Sequence, residues 1–363
     1  MCARRKLTPA VALAFALLAV AGSAQLDVPR YAHTATVLPG GRVMIYGGLG
    51  PHDAFMLGTE VGEGDGAFAP GPRSHRARAF HTATVLHDGA LLIAGGFVPP
   101  YSTASTAELF DGERFIFLPH RMSAPRELHT ATLLRDGRVL IAGGFVGGVT
   151  SLAGCDVYEP DSRTFAATGG LAESRFGHAA SLLRDGRVLV TGGTQFPGES
   201  TLRSAEIYDP ATGEFLPAGA MAEERARHTA TVLEDGRVLI TGGNSIETGG
   251  QLASTEIFDP TTGRFEPGPP MCEPRMDHTA TLLPDGRVLV TGGFNGVGEP
   301  HTLRSCEVYD PATGGFSPEE SLPLPVHEHR ATLLPDGRVL VTGGMIVADG
   351  ERAAVTETMI LRP

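Results

Sequence analysis

Three histidines in predicted loops, His52, His301 and His327, are the residues of this chain best suited to metal chemistry. Neutral imidazole is a common ligand of Zn, Cu, Ni or Fe, and carboxylates such as that of Asp53 can complete such a site. The three loops should meet near one point of the molecule, so the sequence allows a metal site there. The alternative is a set of solvated loop histidines without a ligand.

A second group of candidates consists of aromatic and polar side chains, several of which directly follow a Gly-Gly pair. Aromatic rings with a few convergent polar groups suit sugars or peptide segments. We expect these residues to bind a ligand; alternatively they only cover the loops, because single exposed apolar residues are normal. The candidates are Phe97, Tyr101, Phe145, Phe196, Asn244, Phe294, Asn295 and Arg330.

These candidates are held in place by a sixteen-residue phrase that occurs seven times. Its cleanest copy runs from His278 to Gly293 and reads HTATLLPDGRVLVTGG. A regular spacing of 48 to 51 residues indicates an array of like structural units. The copies begin at the lead histidines His33, His81, His129, His178, His228, His278 and His329.

Each copy predicts four short antiparallel strands. In the sixth copy, Asp285-Gly286 separates two apolar runs, and we expect both turn residues to have positive φ in a tight hairpin. The second run ends at Gly292-Gly293, Cys306–Tyr309 gives a third strand, and Phe316 belongs to a fourth. Seven copies of four strands predict an all-β fold, the seven-bladed β-propeller.

The copies resemble kelch repeats. The matching features are the double glycine after the second strand, the Glu-x-Tyr-Asp-Pro text of the third and the aromatic residue of the fourth. The resemblance spans about residues 28–361 and implies a kelch-type propeller like those of secreted bacterial proteins. Kelch repeats usually carry tryptophan on the fourth strand, whereas this chain has no tryptophan. Phenylalanine takes its place, at Phe68, Phe115, Phe165, Phe215, Phe265 and Phe316.

Residues present in every copy are most simply structural. We expect the lead histidines to be hydrogen-bonded packing groups at blade junctions. Arginines three residues ahead of them should form partly buried ion pairs with acids of the third strands. These arginines are Arg30, Arg78, Arg126, Arg175, Arg225 and Arg275, and the predicted acids are Glu108, Asp156, Glu206, Glu256, Glu307 and Glu357.

The seventh copy predicts an incomplete closing blade. It supplies three strands, the third being Val355–Leu361, and the outer strand that would complete the blade falls near Val20. If the N-terminus is removed, only Gln25–Arg30 remains to cover part of this edge. We therefore expect a short or absent fourth strand and an exposed edge, which could pair with another chain.

The N-terminus predicts a signal peptide over residues 1–24. Arg4–Lys6 is a basic start, Val11–Ala21 is apolar but too short for a comfortable membrane span, and Gly22–Ala24 offers a small-residue cleavage site. The mature protein would then be a single propeller, residues 25–363, secreted or periplasmic and without an integral membrane span.

Composition excludes several classes of function. The net charge of −12 becomes three units more negative once Arg4, Arg5 and Lys6 are removed, which argues against nucleic acid and anionic membranes as partners. The mature chain would contain no lysine, so Schiff-base chemistry is excluded. Cys155, Cys272 and Cys306 are an odd, sparse set whose pairing stays open.

Propeller geometry places the variable loops on one face, because strand-two-to-three loops and blade-to-blade connections lie at the same end. Since functional residues collect on loops held by a rigid scaffold, we expect a non-catalytic binding protein with a protein or glycan ligand there and no cofactor. Two alternatives stay open, a metal-dependent oxidase or sugar-modifying enzyme on a kelch propeller, and an assembly protein acting through the open edge. Oxidases resembling galactose oxidase would need two tyrosines, one joined to cysteine, and two histidines at copper, and only Tyr31 and Tyr101 have suitable placement. The chain is compatible with a monomer.

Overall fold

Seven antiparallel sheets surround one axis in the computed structural model, which describes residues 25–198, 200–297, 300–348 and 351–363. Each sheet is a blade whose first strand lies nearest the axis and contacts the first strands of its neighbours. The ring closes because Arg330–Leu333 of blade 7 contacts Thr34–Val37 of blade 1. The predicted seven-bladed propeller is therefore confirmed. Within the described residues, no helix is long and apolar enough to cross a membrane.

The strands follow one another in the same order in every blade. Blade 1 contains Thr34–Val37, Val43–Tyr46, Thr59–Gly62 and Ala69–Pro70; blade 2, Thr82–Val85, Leu91–Ala94, Ala107–Phe110 and Phe115–Phe117; blade 3, Thr130–Leu133, Val139–Ala142, Cys155–Glu159 and Thr164–Thr168. Blade 4 contains Ala179–Leu182, Val188–Thr191, Ser204–Asp209 and Glu214–Ala220; blade 5, Thr229–Val232, Val238–Thr241, Thr255–Asp259 and Arg264–Pro267; blade 6, Thr279–Leu282, Val288–Thr291, Cys306–Asp310 and Gly315–Glu319. Blade 7 contains Arg330–Leu333, Val339–Thr342 and Thr358–Leu361.

The hydrophobic core lies between adjacent blades. The second strands are fully buried, as in Val288–Thr291, because a neighbouring blade covers each face. This explains why their sequences are continuously apolar rather than alternating. At the outer edge, the predicted phenylalanines pack on the third strand: the ring centroids of Tyr309 and Phe316 are 5.2 Å apart, and those of Tyr208 and Phe215 are 4.9 Å apart.

The hairpin between the first two strands differs from the expected turn. Only Gly286 has positive φ, at +86°, while Asp285 does not. The Leu283 N–H donates to the Arg287 carbonyl, and the Gly286 N–H donates back to the Leu283 carbonyl. The loop thus has one residue more than the predicted two-residue turn, and Gly286 is its one residue in the left-handed region.

The double glycine allows two main-chain segments to approach the second strand. A Cβ on Gly292, where φ is +56°, would lie 2.4 Å from the Val326 carbonyl oxygen of the next blade. A Cβ on Gly293, where φ is +109°, would lie 2.9 Å from the Met276 carbonyl oxygen of its own blade. Any side chain at these positions would clash with backbone, so glycine is required in both.

The repeated arginines hold each blade together from inside, as blade 6 shows. The Arg275 guanidinium donates to Glu307 at 2.6 Å and to the carbonyl oxygens of Gly292 at 2.6 Å and Ser305 at 3.2 Å. The second carboxylate oxygen of Glu307 accepts from the Cys272 N–H at 2.6 Å. The predicted ion pairs are confirmed within blades 2 to 6. In blade 1, Arg30 pairs with Glu60, which was not among the predicted acids.

Blade 7 replaces this ion pair by two apolar side chains. Its third strand pairs Val341 with Met359, which is the register position that Glu307 occupies opposite Val290 in blade 6. Met359 and Val326 are both buried and belong to one apolar cluster. The prediction that Glu357 is the paired acid of blade 7 was therefore wrong. Met359, two residues further along, holds that position, because the third strand begins later than the sequence suggested.

The N-terminal segment runs beside the closing blade. Gln25 forms a β-bridge with Glu357, the Leu26 N–H donates to the Thr356 carbonyl at 2.8 Å, and the Arg30 N–H donates to Val355 at 3.2 Å. Among the described residues the closing sheet has three strands, as expected. The predicted signal peptide and the expected strand position near Val20 lie outside the described residues.

Candidate ligand site at the channel mouth

One face of the propeller carries the loops that vary between copies. In blades 2 to 7 the chain after the double glycine forms a two-stranded hairpin, and in blade 1 it forms a short 3-10 turn, Pro51–Asp53. The hairpins are Phe97–Val98 with Ser102–Thr103, Phe145–Val146 with Thr150–Ser151, Thr194–Gln195 with Ser200–Thr201, Asn244–Ser245 with Gly250–Gln251, Phe294–Asn295 with His301–Thr302, and Met345–Ala348 with Glu351–Ala354.

At the centre of this face, one residue from each blade surrounds the axis. It directly precedes the lead histidine and has a φ between 51° and 59° in every blade. From blade 2 to blade 7, its N–H donates to the carbonyl of the equivalent residue one blade earlier, at 2.8 to 3.2 Å. We call these seven residues the mouth residues: Ala32, Phe80, Leu128, Gly177, Arg227, Asp277 and Glu328.

The mouth residues line a cavity of about 200 Å³ together with three lead histidines and Arg330. The cavity is two-sided in its chemistry. Blades 1 to 4 contribute Ala32, Phe80, Leu128 and Gly177, whereas blades 5 to 7 contribute only charged mouth residues. Its volume lies below the roughly 300–1,000 Å³ of pockets for drug-sized ligands. A small molecule or a single side chain fits this space.

The charged half is organised around Arg227. Its guanidinium lies 2.9 Å from a carboxylate oxygen of Asp277 and 3.9 Å from one of Glu328. The other oxygen of Glu328 is buried and has no hydrogen-bond partner. Burial, and then repulsion from Asp277, raises the pKa of Glu328 to about 7. Glu328 therefore exchanges a proton near neutral pH and keeps one oxygen free for a further contact.

Arg330 contributes a second cation to the cavity, and its side chain is half-buried. Its Nε donates to the His33 carbonyl at 2.8 Å, and a terminal nitrogen donates to the His329 carbonyl at 3.4 Å. In the described part of the chain, no carboxylate oxygen lies within 4.0 Å of its guanidinium. Burial lowers the pKa of Arg330, while the charges of Glu328 and Asp277 partly oppose this shift.

The lead histidines are structural, as expected. All seven are buried, and most accept or donate a hydrogen bond through Nε2 to a threonine of the preceding blade, as His329 does with Thr279 at 3.0 Å. Burial is the main cause that lowers the pKa of every one of them, to about 3 for His178 and His329. They remain neutral at physiological pH and join adjacent blades around the axis.

The predicted aromatic residues form two clusters around the mouth. Phe97 lies 5.3 Å from Phe55 and 6.2 Å from Tyr101 between ring centroids, and Tyr101 is 79% exposed. Phe145 lies 4.6 Å from Phe176 and 5.7 Å from Phe196. The first group, Phe55, Phe97 and Tyr101, is called the blade 1–2 cluster below, and the second the blade 3–4 cluster.

The other predicted residues are scattered. Asn244 is half-buried with an unpartnered side-chain oxygen, and Asn295 is buried and accepts from the Val297 N–H at 2.9 Å. Phe294 packs 5.5 Å from the ring of His327. Of the eight residues predicted to bind a ligand, only Arg330 lines the cavity.

Sequence reasoning missed Arg227 and Asp277. A usable signal was present, because the residue just ahead of the lead histidine differs in all seven copies within otherwise regular text. A position that is constant in geometry but variable in chemistry is the place where a repeat protein can build a specific site.

The predicted histidine trio is not brought together. His327 is buried and its Nδ1 bonds the Thr302 hydroxyl at 3.3 Å, whereas His52 and His301 are exposed. Among the described residues, no three His, Cys, Asp or Glu side chains form a group that could hold a metal ion.

Comparison with known proteins agrees with this architecture. The family model of the kelch motif matches residues 277–323, which cover most of blade 6. The repeat is a kelch motif. Six further copies of the same phrase make the chain a kelch-repeat propeller, and no curated protein sequence matches it. Among solved structures it is similar to a fungal alcohol oxidase of the AA5 family, in complex with copper, with a TM-score of 0.72 and 19% identity over 92% of this chain and 75% of that chain.

That level of identity shows a shared fold and nothing more, so only the residues of this chain can indicate a copper site. The Tyr31 hydroxyl donates to Asp53 rather than lying beside a cysteine, and Cys155 and Cys306 are buried within the blades. At the channel mouth, two guanidinium groups accompany the two carboxylates. The described residues therefore do not fit a copper centre.

Proposed function

We propose that this chain is an exported, non-catalytic binding protein that holds a carbohydrate or protein ligand on the face of the variable loops. The observation that carries the proposal is the channel mouth, where all seven blades contribute to one cavity with a charged half and an apolar half. Ligand sites commonly combine an apolar lining with a few polar groups that fix orientation.

The two aromatic clusters support the same face. The side chain of Tyr101 is the most exposed large apolar group of the described residues, and it lies beside Phe55 and Phe97. Its φ of 106° is strained for a residue other than glycine. Backbone strain of this kind is typical of functional positions. An exposed, fixed aromatic ring can stack on a sugar ring or an apolar side chain of a ligand.

The opposite face varies less from blade to blade than the face of the variable loops. Its turns are nearly identical in blades 3 to 7, as in Asp285-Gly286-Arg287, where Arg287 pairs with Asp285 at 2.6 Å. A cavity of about 420 Å³ on this face is lined mainly by the repeated turn residues, such as Asp285 and Arg338, rather than by residues particular to one blade. The variable face is therefore the better candidate for specific recognition.

A glycan and peptide array, probed with the purified chain, tests the proposal. We expect binding to a defined class of ligand, and a loss of at least about ten-fold in affinity in Tyr101→Ala, since interface aromatic residues commonly contribute more than 1 kcal/mol. The matched control is Phe117→Ala, which removes another exposed aromatic ring from the outer strand of blade 2. Absence of any array ligand, or equal losses in both variants, would contradict the proposal.

A sugar-modifying enzyme is the second candidate, favoured by Glu328. A carboxyl group whose pKa is raised to about 7 within a cavity is suited to general acid–base catalysis. If array ligands are chemically altered on incubation, as followed by NMR, and Glu328→Gln abolishes the change but retains binding, the chain is an enzyme rather than a binding protein.

A further inference from the structure

We propose that the channel mouth is a binding site for a small organic carboxylate, with Arg330 as its cationic partner. This inference rests on the proposed function, because it names the ligand chemistry for the centre of the same face. The carboxylate belongs to a free small molecule, such as a sugar acid, because the cavity of about 200 Å³ leaves little room for more.

The first argument is the state of Arg330. A buried guanidinium is costly unless an anion compensates its charge. The six repeated arginines, such as Arg275, each have a carboxylate within 3.0 Å. Arg330 donates only to two main-chain carbonyls among the described residues. It is thus a half-buried cation at a cavity wall that Glu328 and Asp277 compensate only from a distance, which leaves a place for the carboxylate of a ligand.

The second argument is that Arg330 is not needed by the fold. At the same position the other copies have threonine or, in blade 4, Ala179. Thr34, for example, bonds the next lead histidine, His81, at 3.0 Å. With Arg330 in this place, His33 bonds Thr342 at 3.1 Å instead. The bond between blades is thus kept by Thr342, and Arg330 adds a charge at the axis.

Glu328 supplies a complementary hydrogen-bonding group. Its unpartnered oxygen lies buried at the mouth, and the carboxyl group can carry a proton near neutral pH. In that form it donates a hydrogen bond to one carboxylate oxygen of a ligand while Arg330 donates to the other. Asp277 is less available, because Arg227 already pairs with it at 2.9 Å.

The alternatives fit less well. A cationic ligand could not pair with Arg330, and a neutral sugar would leave Arg330 without a directly bonded carboxylate. A carboxylate satisfies Arg330, while the apolar half of the mouth, with Phe80 and Leu128, can contact the carbon skeleton. The ligand therefore combines one carboxylate with a compact body of a few carbon atoms.

Two probes of the same shape test the site. Isothermal titration calorimetry of the whole chain would compare D-glucuronate with D-glucose, which differ by the carboxylate. We expect glucuronate to bind about ten-fold or more tightly than glucose, as charge-assisted hydrogen bonds warrant. No detectable glucuronate binding, or equal affinity for both sugars, would overturn the proposal.

Substitutions at Arg330 distinguish a loss of ligand binding from a loss of folding. Arg330→Thr introduces the residue of the other copies and should fold, yet lose the preference for glucuronate. Arg330→Lys keeps the charge without the planar fork and should retain part of it. Arg187→Thr, which removes an arginine from the opposite face with the same change in net charge, should bind like the unmodified chain. Unchanged glucuronate affinity in Arg330→Thr would refute the assignment.

Failure of this site would not be confused with failure of the proposed function. If the array finds a ligand that depends on Tyr101 while neither sugar binds at the mouth, the variable face binds ligands and the carboxylate site is wrong. If neither experiment finds a ligand, both proposals fail.

Discussion

Blades 1 to 6 and blade 7 solve the same packing problem differently. In each of the first six, a buried arginine is paired with an acid of the third strand, as in Arg275 and Glu307. In blade 7, Val326 and Met359 fill the corresponding space without any charge. The ion pair is thus not a requirement of the propeller, because an apolar pair meets the same need. Blade 7 instead places its arginine four residues further along, at the axis.

This difference shows which residues of a repeat are free to change. A charge that six copies keep inside the blade is used for structure. Where one copy removes it and places a charge elsewhere, as at Glu328 and Arg330, the new charge is available to a ligand. The experiments below test the structural half of this comparison, from the largest expected effect to the smallest.

Acid should destabilise the fold through the buried lead histidines, which all seven blades share. The lead histidines are buried with a lowered pKa, so the unfolded chain takes up protons that the folded chain refuses. Stability is therefore complete above about pH 6.5 and is lost as the pH falls toward the folded-state pKa values. Each histidine costs about 1.4 kcal/mol at one pH unit below its unfolded value, roughly 10 kcal/mol for the ring.

Thermal unfolding followed by circular dichroism between pH 5 and 8 measures this effect. A loss of roughly 10 kcal/mol is comparable to the whole stability of a typical domain, so we expect unfolding near pH 5 to 5.5. A midpoint temperature that stays constant from pH 8 to 5 would show that the histidines are protonated in the folded ring.

Breaking one ion pair in a regular blade should be the next largest effect. Glu307→Met leaves Arg275 buried without its anion, which costs about 3–5 kcal/mol in the free energy of unfolding. Urea unfolding of this variant beside Asp285→Asn, which removes an exposed carboxylate in the same blade, measures the difference. Equal stability of the two variants would contradict the structural role of the pair.

Converting blade 6 to the arrangement of blade 7 should restore much of that loss. The double variant Arg275→Val, Glu307→Met replaces both charges by apolar groups, and such replacements of buried ion pairs are often close to neutral. We expect it to be about 2 kcal/mol more stable than Glu307→Met alone in the same urea titration. Additive losses would show that Arg275 is required for its bonds to main-chain carbonyls.

The smallest effect concerns Arg330. Arg330→Thr removes a half-buried charge that has no directly bonded carboxylate and supplies the hydroxyl that most other blades direct to the next lead histidine, here His33. We expect a gain of about 1 kcal/mol, the contribution of one hydrogen bond. Differential scanning calorimetry detects it as a higher midpoint temperature. A lower midpoint temperature would assign Arg330 to the fold and remove its availability for a ligand.

Much of the fold was predictable because each sequence pattern of the repeat occurs seven times. Spacing, apolar runs and double glycines together predict the blades and the arginine–acid pairs. The site was harder to predict. Arg227 and Asp277 lie one residue ahead of lead histidines 50 residues apart, and only the closed ring brings them together. Glu357 was misassigned because the long hairpin of blade 7 shifts the third strand by two residues.

The main-chain bonds that link the mouth residues have a consequence for how such a chain can change its ligand. Because the peptide groups from Ala32 to Glu328 are bonded to one another and share a φ of 51° to 59°, the backbone of each mouth position has the same conformation in every blade. The cavity is thus lined by seven positions, one from each blade, whose residue types can differ. Substitution at any of them alters what the centre recognises while the blades behind it keep their packing, so a single scaffold can be recoded for new small molecules with very few mutations.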